Sequence, residues 1–159
     1  MKRKSLLKYV CSGALAVVAV IAIIGLVGCG SEPKEEVNTF DLTVGTKVDL
    51  DNGLSVSVDS IDTSLVNYDG SSITAVAVTY TNNGEESASY NMYDWKGQDA
   101  NGAAETSTIF VDGPEPLNSG DLAAGGTVSG SLFFEAGTVK ALYYGNVFDE
   151  DPTASWVLE

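Results

Sequence analysis

Val48-Asp-Leu-Asp-Asn-Gly-Leu-Ser-Val-Ser-Val58 decides the fold class. Val48 and Leu50 alternate with acids, Asp51-Asn52-Gly53 interrupts the run, and Leu54, Val56 and Val58 alternate again. A period of two places those apolar side chains on one face of a strand. Asn-Gly between two such runs is a hairpin signal, because these residues accept the positive φ that a tight turn requires.

The same grammar continues outward. Residues 67–72 form a polar break; Val76, Val78 and Tyr80 then share one strand face, with Ala75, Ala77 and Thr79 on the other, and Asn82-Asn83-Gly84 ends the run. An aromatic segment follows with Tyr90, Met92, Tyr93 and Trp95, and Asp99-Ala100-Asn101-Gly102 turns the chain. Residues 105–111 read as a strand with Ile109 and Val111 on one side. Pro114, Pro116 and Gly120 make 112–126 a long loop. Val128, Leu132 and Phe134 share a face of the next strand, in which Gly130 signals a close backbone approach or a bulge. Residues 141–144 are apolar on both faces, as in a central strand, and Trp156 and Leu158 mark a last one. No window after residue 39 sustains a helical period. Seven or eight strands spaced 8–15 residues apart predict an all-β antiparallel β-sandwich over 39–159, preceded by an N-terminal signal helix.

That helix is read from residues 1–28. Lys2, Arg3, Lys4 and Lys8 precede 18 uncharged residues, Val10 through Val27. A helix of that length spans about 27 Å, close to a bilayer core of about 30 Å. Basic residues ahead of it keep that end cytoplasmic and send the remainder out. Leu26-Val27-Gly28-Cys29 then matches the bacterial lipobox. Leu26, Val27 and Gly28 give a signal peptidase an aliphatic and small-residue approach, and the Cys29 thiol accepts diacylglycerol. Residues 29–38 form a lipidated cysteine and a flexible tether, GSEPKEEVN, with one apolar residue in nine. Two acyl chains satisfy the requirement for stable anchoring. The expected location is the extracellular face of the cell membrane.

Composition narrows the chemistry. The 159 residues hold 22 acids, 8 bases, 2 Cys and no His. Ser-His-Asp and Cys-His nucleophiles and His-ligated zinc are thereby removed. Cys11 sits in the leader and Cys29 carries lipid, so the exported domain has neither thiol nor disulfide. Residues 29–159 carry four lysines against all 22 acids, a net charge of −18. Nucleic acid is excluded as a partner, since a phosphate backbone demands clustered Lys and Arg. Self-repulsion favours a monomer.

Four pieces of the domain, read in order, carry a family resemblance. They are Gly45-Thr-Lys-Val48 leading into the first hairpin, the strand that ends Asn82-Asn-Gly-Glu85, the aromatic strand followed by Asp99-x-Asn-Gly102, and Leu122-x-x-Gly-Gly-Thr-Val-x-Gly-x-Leu-x-Phe134 before a Leu-Tyr-Tyr strand. In this the chain resembles a family of secreted bacterial domains of unknown function, immunoglobulin-like lipoproteins mostly from Gram-positive bacteria. Some carry the misleading name telomeric repeat-binding factor. The resemblance covers about residues 40–158 and implies that the all-β sandwich is an immunoglobulin-like antiparallel β-sandwich. It carries no catalytic residue over to this chain.

Asp49-x-Asp51-x-Gly53 and Asp99-x-Asn101-Gly102 echo acidic calcium loops. An EF-hand needs oxygen ligands at loop positions 1, 3 and 5, Gly at 6 and Glu at 12. With Gly102 at 6, positions 1 and 12 are Gly97 and Thr108; with Gly53 at 6, position 1 is Val48. Turn chemistry accounts for both loops better, and Asp149-Glu150-Asp151 reads as a solvated loop. Tyr90, Tyr93, Trp95, Tyr143, Tyr144 and Trp156 offer either a stacking platform for cell-wall sugar or peptide, or core packing, and alternation favours the core. The expectation is a surface-anchored lipoprotein acting as a non-catalytic binding module, with no cofactor, no metal and no catalytic residues. Its ligand would be a cell-wall component or a surface protein. The alternatives are a Ca²⁺-dependent or structural envelope protein and, more distantly, a carboxylate-based hydrolase.

Overall fold

A computed structural model describes residues 37–158. The expected leader, its Leu26, Val27 and Gly28, the lipid-bearing Cys29 and most of the tether lie outside the described residues.

Ten strands follow in order: β1 (Lys47–Asp49), β2 (Leu54–Val66), β3 (Ser72–Asn82), β4 (Ala88–Tyr90), β5 (Trp95–Asp99), β6 (Ala104–Thr106), β7 (Gly120–Leu122), β8 (Thr127–Glu135), β9 (Thr138–Tyr143) and β10 (Ala154–Val157). Two four-stranded antiparallel sheets, β1-β2-β3-β8 and β10-β9-β5-β6, form the sandwich, and β4 pairs with β7 in a small ribbon. The architecture is that of an immunoglobulin-like sandwich. Its strand order is its own, because the second and third strands here pair within one sheet.

The first hairpin forms where the sequence places it. Gly53 adopts φ +84°, its N–H bonds the Leu50 carbonyl at 3.2 Å, and Asn52 Oδ1 accepts from the Leu54 N–H at 3.0 Å. Leu54, Val56 and Val58 then point into the core with Val76, Val78 and Tyr80 of β3 and Leu132 and Phe134 of β8. Each such buried side chain contributes roughly 1.5–3 kcal/mol of hydrophobic free energy. From the opposite sheet come Trp95, Ala141, Tyr143 and Trp156. β9 lies between β5 and β10, and residues 141–144 are buried on both faces. A satellite cluster of Ile73, Ala75 and Phe133, with Leu65 and Phe110 packed on it, covers the outer face of the first sheet.

Gly130 marks a close approach. A Cβ there would lie 2.6 Å from Leu117 Cα and 2.8 Å from Leu117 N. This allows residues 115–117 to clasp the β8 edge, with Ser131 N–H donating to the Glu115 carbonyl (2.8 Å) and Leu117 N–H donating to the Ser131 carbonyl (2.9 Å).

Three expectations need correction. The strand expected over 105–111 ends at Thr106, and Ile109 and Val111 are 81% and 87% exposed. Beyond Thr106 the chain crosses to the other sheet, where the Thr108 N–H bonds the Phe133 carbonyl at 2.7 Å and the Phe110 ring lies 5.4 Å from that of Phe133. The expected 112–126 loop contains β7, whose pairing with β4 is reinforced by Asn82 Nδ2 donating to the Leu122 carbonyl at 2.8 Å. The strand count rises to ten because the aromatic segment divides into β4 and β5 around residues 92–94, and because β7 is a three-residue strand without an apolar alternation.

Candidate functional site

Two regions of the domain carry candidate chemistry. The first is the aromatic interior. Tyr80, Trp95, Tyr143 and Trp156 stack with centroid spacings of 5.0–6.4 Å, and Tyr90 joins at 5.7 Å from Tyr80. Trp95 Nε1–H donates to the Tyr80 hydroxyl at 2.7 Å, and Trp156 Nε1–H donates to the Thr46 carbonyl at 2.9 Å, so neither buried indole is left unpaired. Burial pushes the Tyr143 hydroxyl up to about 12, helped by the nearby Asp94 charge. Burial also holds the Tyr80 hydroxyl well above the ordinary tyrosine range. Asp94, 7% exposed in a 3-10 turn (Met92–Asp94), is raised above the usual carboxylate value by burial, with the Asp149 charge adding to it and the Val147 N–H opposing. These aromatic rings are core. Tyr144 is also buried, beneath Lys96 Nζ at 4.3 Å from its ring centre, and Tyr93, 53% exposed, faces solvent.

The acidic loops do turn work. Asp99 Oδ1 accepts from the Asn101 N–H (2.9 Å) and the Ala103 N–H (2.8 Å), and Gly102 sits at φ +90°. The Asn101 side-chain amide, donating to Asp99 Oδ2 at 3.2 Å, and then these backbone bonds hold the Asp99 carboxyl below its ordinary value. Asp149, Glu150 and Asp151 are exposed. No three acidic side chains converge on one point among the described residues.

The second region was not foreseen as a site. An open groove of about 420 Å³ runs between the 107–111 segment and residues 116–118, with Ser131, Leu132 and Phe133 of β8 at its floor and Met92 and Tyr93 at one end. Its lining is largely apolar. The Ser107 Oγ, on this lining, is the one buried side-chain polar atom without a hydrogen-bond partner among the described residues. Buried hydroxyls are ordinarily paired. Glu115, next in sequence to the lining residue Pro116, holds φ +44°, a left-handed conformation costing a non-glycine residue about 1–2 kcal/mol. In the sequence, the signal for this site was the strand-like pattern at 105–111, which pointed to a sheet rather than to a surface.

The chain is thus an immunoglobulin-like β-sandwich domain with an open apolar groove beside one sheet edge. It belongs to the family described as domain of unknown function DUF4352, whose profile matches residues 42–153. Similar solved structures include the yjhA protein of Bacillus subtilis, at 17% identity and TM-score 0.57, covering 74% of this chain and 99% of that one. The secreted protein MPT63 of Mycobacterium tuberculosis matches at 11% identity and TM-score 0.60, over 77% of this chain and 99% of its own. The ycdA protein of Bacillus subtilis, classed as a lipoprotein, matches at 19% identity and TM-score 0.55, over 70% of this chain and 37% of its own. At these identities the likeness is one of fold. A search of curated proteins finds no match.

Proposed function

We propose that the protein is a lipoprotein held at the extracellular face of the cell membrane through Cys29, and that its sandwich is a non-catalytic binding module which recognises a cell-wall or surface-protein ligand at the groove. The observation that carries the reading is the exposure of Ile109 and Val111 at 81% and 87% beside that groove. Two β-branched side chains left in water cost hydrophobic free energy that a partner recovers. The lipobox supports the location, as does the likeness to a secreted protein and to one classed as a lipoprotein. A net charge of −18 on residues 29–159 keeps the module away from nucleic acid and from anionic lipid.

Two measurements test the reading. Intact mass of the membrane-extracted protein is expected to show cleavage before Cys29 and a diacylglyceryl adduct, both lost in Cys29→Ala; an unchanged mass in the variant refutes the anchor. An equilibrium binding screen against cell-wall fragments and surface proteins, run on wild type and on Ile109→Asp/Val111→Asp, is expected to find a ligand that the double variant loses. Equal binding by both refutes the groove, and reproducible turnover of a bound candidate refutes the non-catalytic role.

A further inference from the structure

Residues 105–111 have the composition of a strand, with Thr106, Thr108, Ile109, Phe110 and Val111 among the best β-formers, yet strand pairing stops at Thr106. Within 108–111 the Thr108 N–H and the Phe110 carbonyl have backbone partners, Phe133 and Gly113 respectively, and the Ile109 and Val111 main-chain groups make no backbone bond outside the strand ladders. Ile109 and Val111 are both exposed, Val111 at the first corner of the turn that the Gly113 N–H closes on the Phe110 carbonyl. Free main-chain donors and acceptors beside alternate exposed β-branched side chains are what an incoming strand pairs with.

We propose that residues 107–111 take up an extended peptide as an added strand, and that the preferred peptide alternates apolar with basic side chains. This deepens the groove reading and rests on it. The peptide's main chain pairs with the unpaired groups of 107–111, its apolar side chains pack on Ile109, Val111 and the groove wall, and one polar group satisfies the Ser107 hydroxyl. The basic preference follows from charge. Glu105, Asp112 and Glu115 flank the segment, all exposed, and residues 37–158 hold three lysines against 18 acids. A second copy of the chain would bring those carboxylates against their own kind, whereas a cationic strand meets complementary potential from every side. Most of the groove stands ready: Leu117 and Phe133 are buried, and the clasp on Ser131 fixes one wall.

The test uses the full-length lipidated protein in a neutral detergent and a fluorescein-labelled nonapeptide of alternating Val and Lys, read by anisotropy, with empty micelles as the blank. Saturable binding is expected. A Val/Glu peptide, a Val/Lys peptide N-methylated at alternate residues along its pairing edge, and the Ile109→Asp/Val111→Asp protein are each expected to bind at least about tenfold more weakly. Both substituted residues are exposed, so the variant's melting temperature is expected to match wild type. An N-methylated peptide that binds as tightly as its parent overturns strand addition. A Val/Glu peptide that binds as tightly overturns the charge argument. Failure of the unmodified Val/Lys peptide to bind overturns the inference alone. The groove reading fails separately, when the double variant retains the ligand found in the broad screen.

Discussion

Gly130→Ala is the sharpest stability test of this fold. The added methyl would stand 2.6 Å and 2.8 Å from the Leu117 Cα and N, distances no real methyl carbon tolerates, and both neighbours are backbone. Either β8 or the 115–117 clasp must move. Overpacking of this kind costs about 1–3 kcal/mol. If the clasp yields, the two bonds between Ser131 and residues 115 and 117 weaken as well, at about 1 kcal/mol each. The smaller entropy of an unfolded chain with Ala opposes by about 0.4–1 kcal/mol. The net expectation is a destabilisation of about 2–4 kcal/mol. Equilibrium urea unfolding followed by the fluorescence of the buried Trp95 and Trp156 measures it, and amide exchange at Leu117 and Ser131 locates it. Gly102→Ala is the control: nothing lies within 4 Å of its Cβ, and its φ of +90° alone costs about 1–2 kcal/mol, without faster exchange at Leu117. A Gly130→Ala protein within about 0.5 kcal/mol of wild type would refute the close-approach account.

Two further outcomes follow from the interior. Tyr143 titrates at about 12 in the fold and near 10 when unfolded, so its neutral form is the one the fold prefers. A raised folded value means that stability is intact below pH 10 and is lost as pH rises to 12, by on the order of 3 kcal/mol. Tyr143→Phe is expected to flatten that part of a urea-midpoint profile; a profile as steep as wild type contradicts it. The Asp94 carboxyl is likewise raised, by burial first, so its contribution to stability is greatest below the ordinary value of 3.8 and falls as pH rises through its folded value. Asp94→Asn, which keeps an oxygen acceptor for the Val147 N–H, is expected to raise the urea midpoint at pH 7 and to gain less at pH 3; a lower midpoint at pH 7 refutes this.

What the sequence reveals follows from what each segment depends on. The hairpin at Gly53, the inward faces of β2, β3 and β8, the central β9 and the approach at Gly130 rest on local rules: alternation, positive φ and the absence of a side chain. Those are written in consecutive residues. β7 escapes because Gly120-Asp121-Leu122 has poor strand propensity; its pairing comes from Asn82, forty residues away, and from the Ser89–Asp121 hydrogen bond. The 105–111 segment misleads in the opposite direction. Its residues favour a strand, but the chain leaves the second sheet for the edge of the first, and the Phe133 ring captures Phe110 while Ile109 and Val111 face water. Alternation identifies two faces and cannot say that one of them lacks a neighbour.

The way the sandwich treats its other edges gives that exposure its weight. Residues 39–42 run beside β10, with the Leu42 N–H on the Ser155 carbonyl and the Val157 N–H on the Leu42 carbonyl, both at 2.9 Å. β1 and β6 are three residues long. β2 runs past the end of β1, and there two register shifts and the acids Asp59 and Asp62 make it a poor template. Short strands, charges, bulges and covering segments are the standard means of keeping an edge from pairing with another chain. Val66, Tyr68, Val147 and Phe148 are also exposed, at the β2–β3 turn and in the 144–153 loop, away from the groove. At 107–111 the guard is missing, although a Lys or Glu at Ile109 would supply it at no cost to the core. The fold blocks its long edges and leaves two β-branched residues exposed beside an apolar groove, and the proposed binding role rests on that contrast.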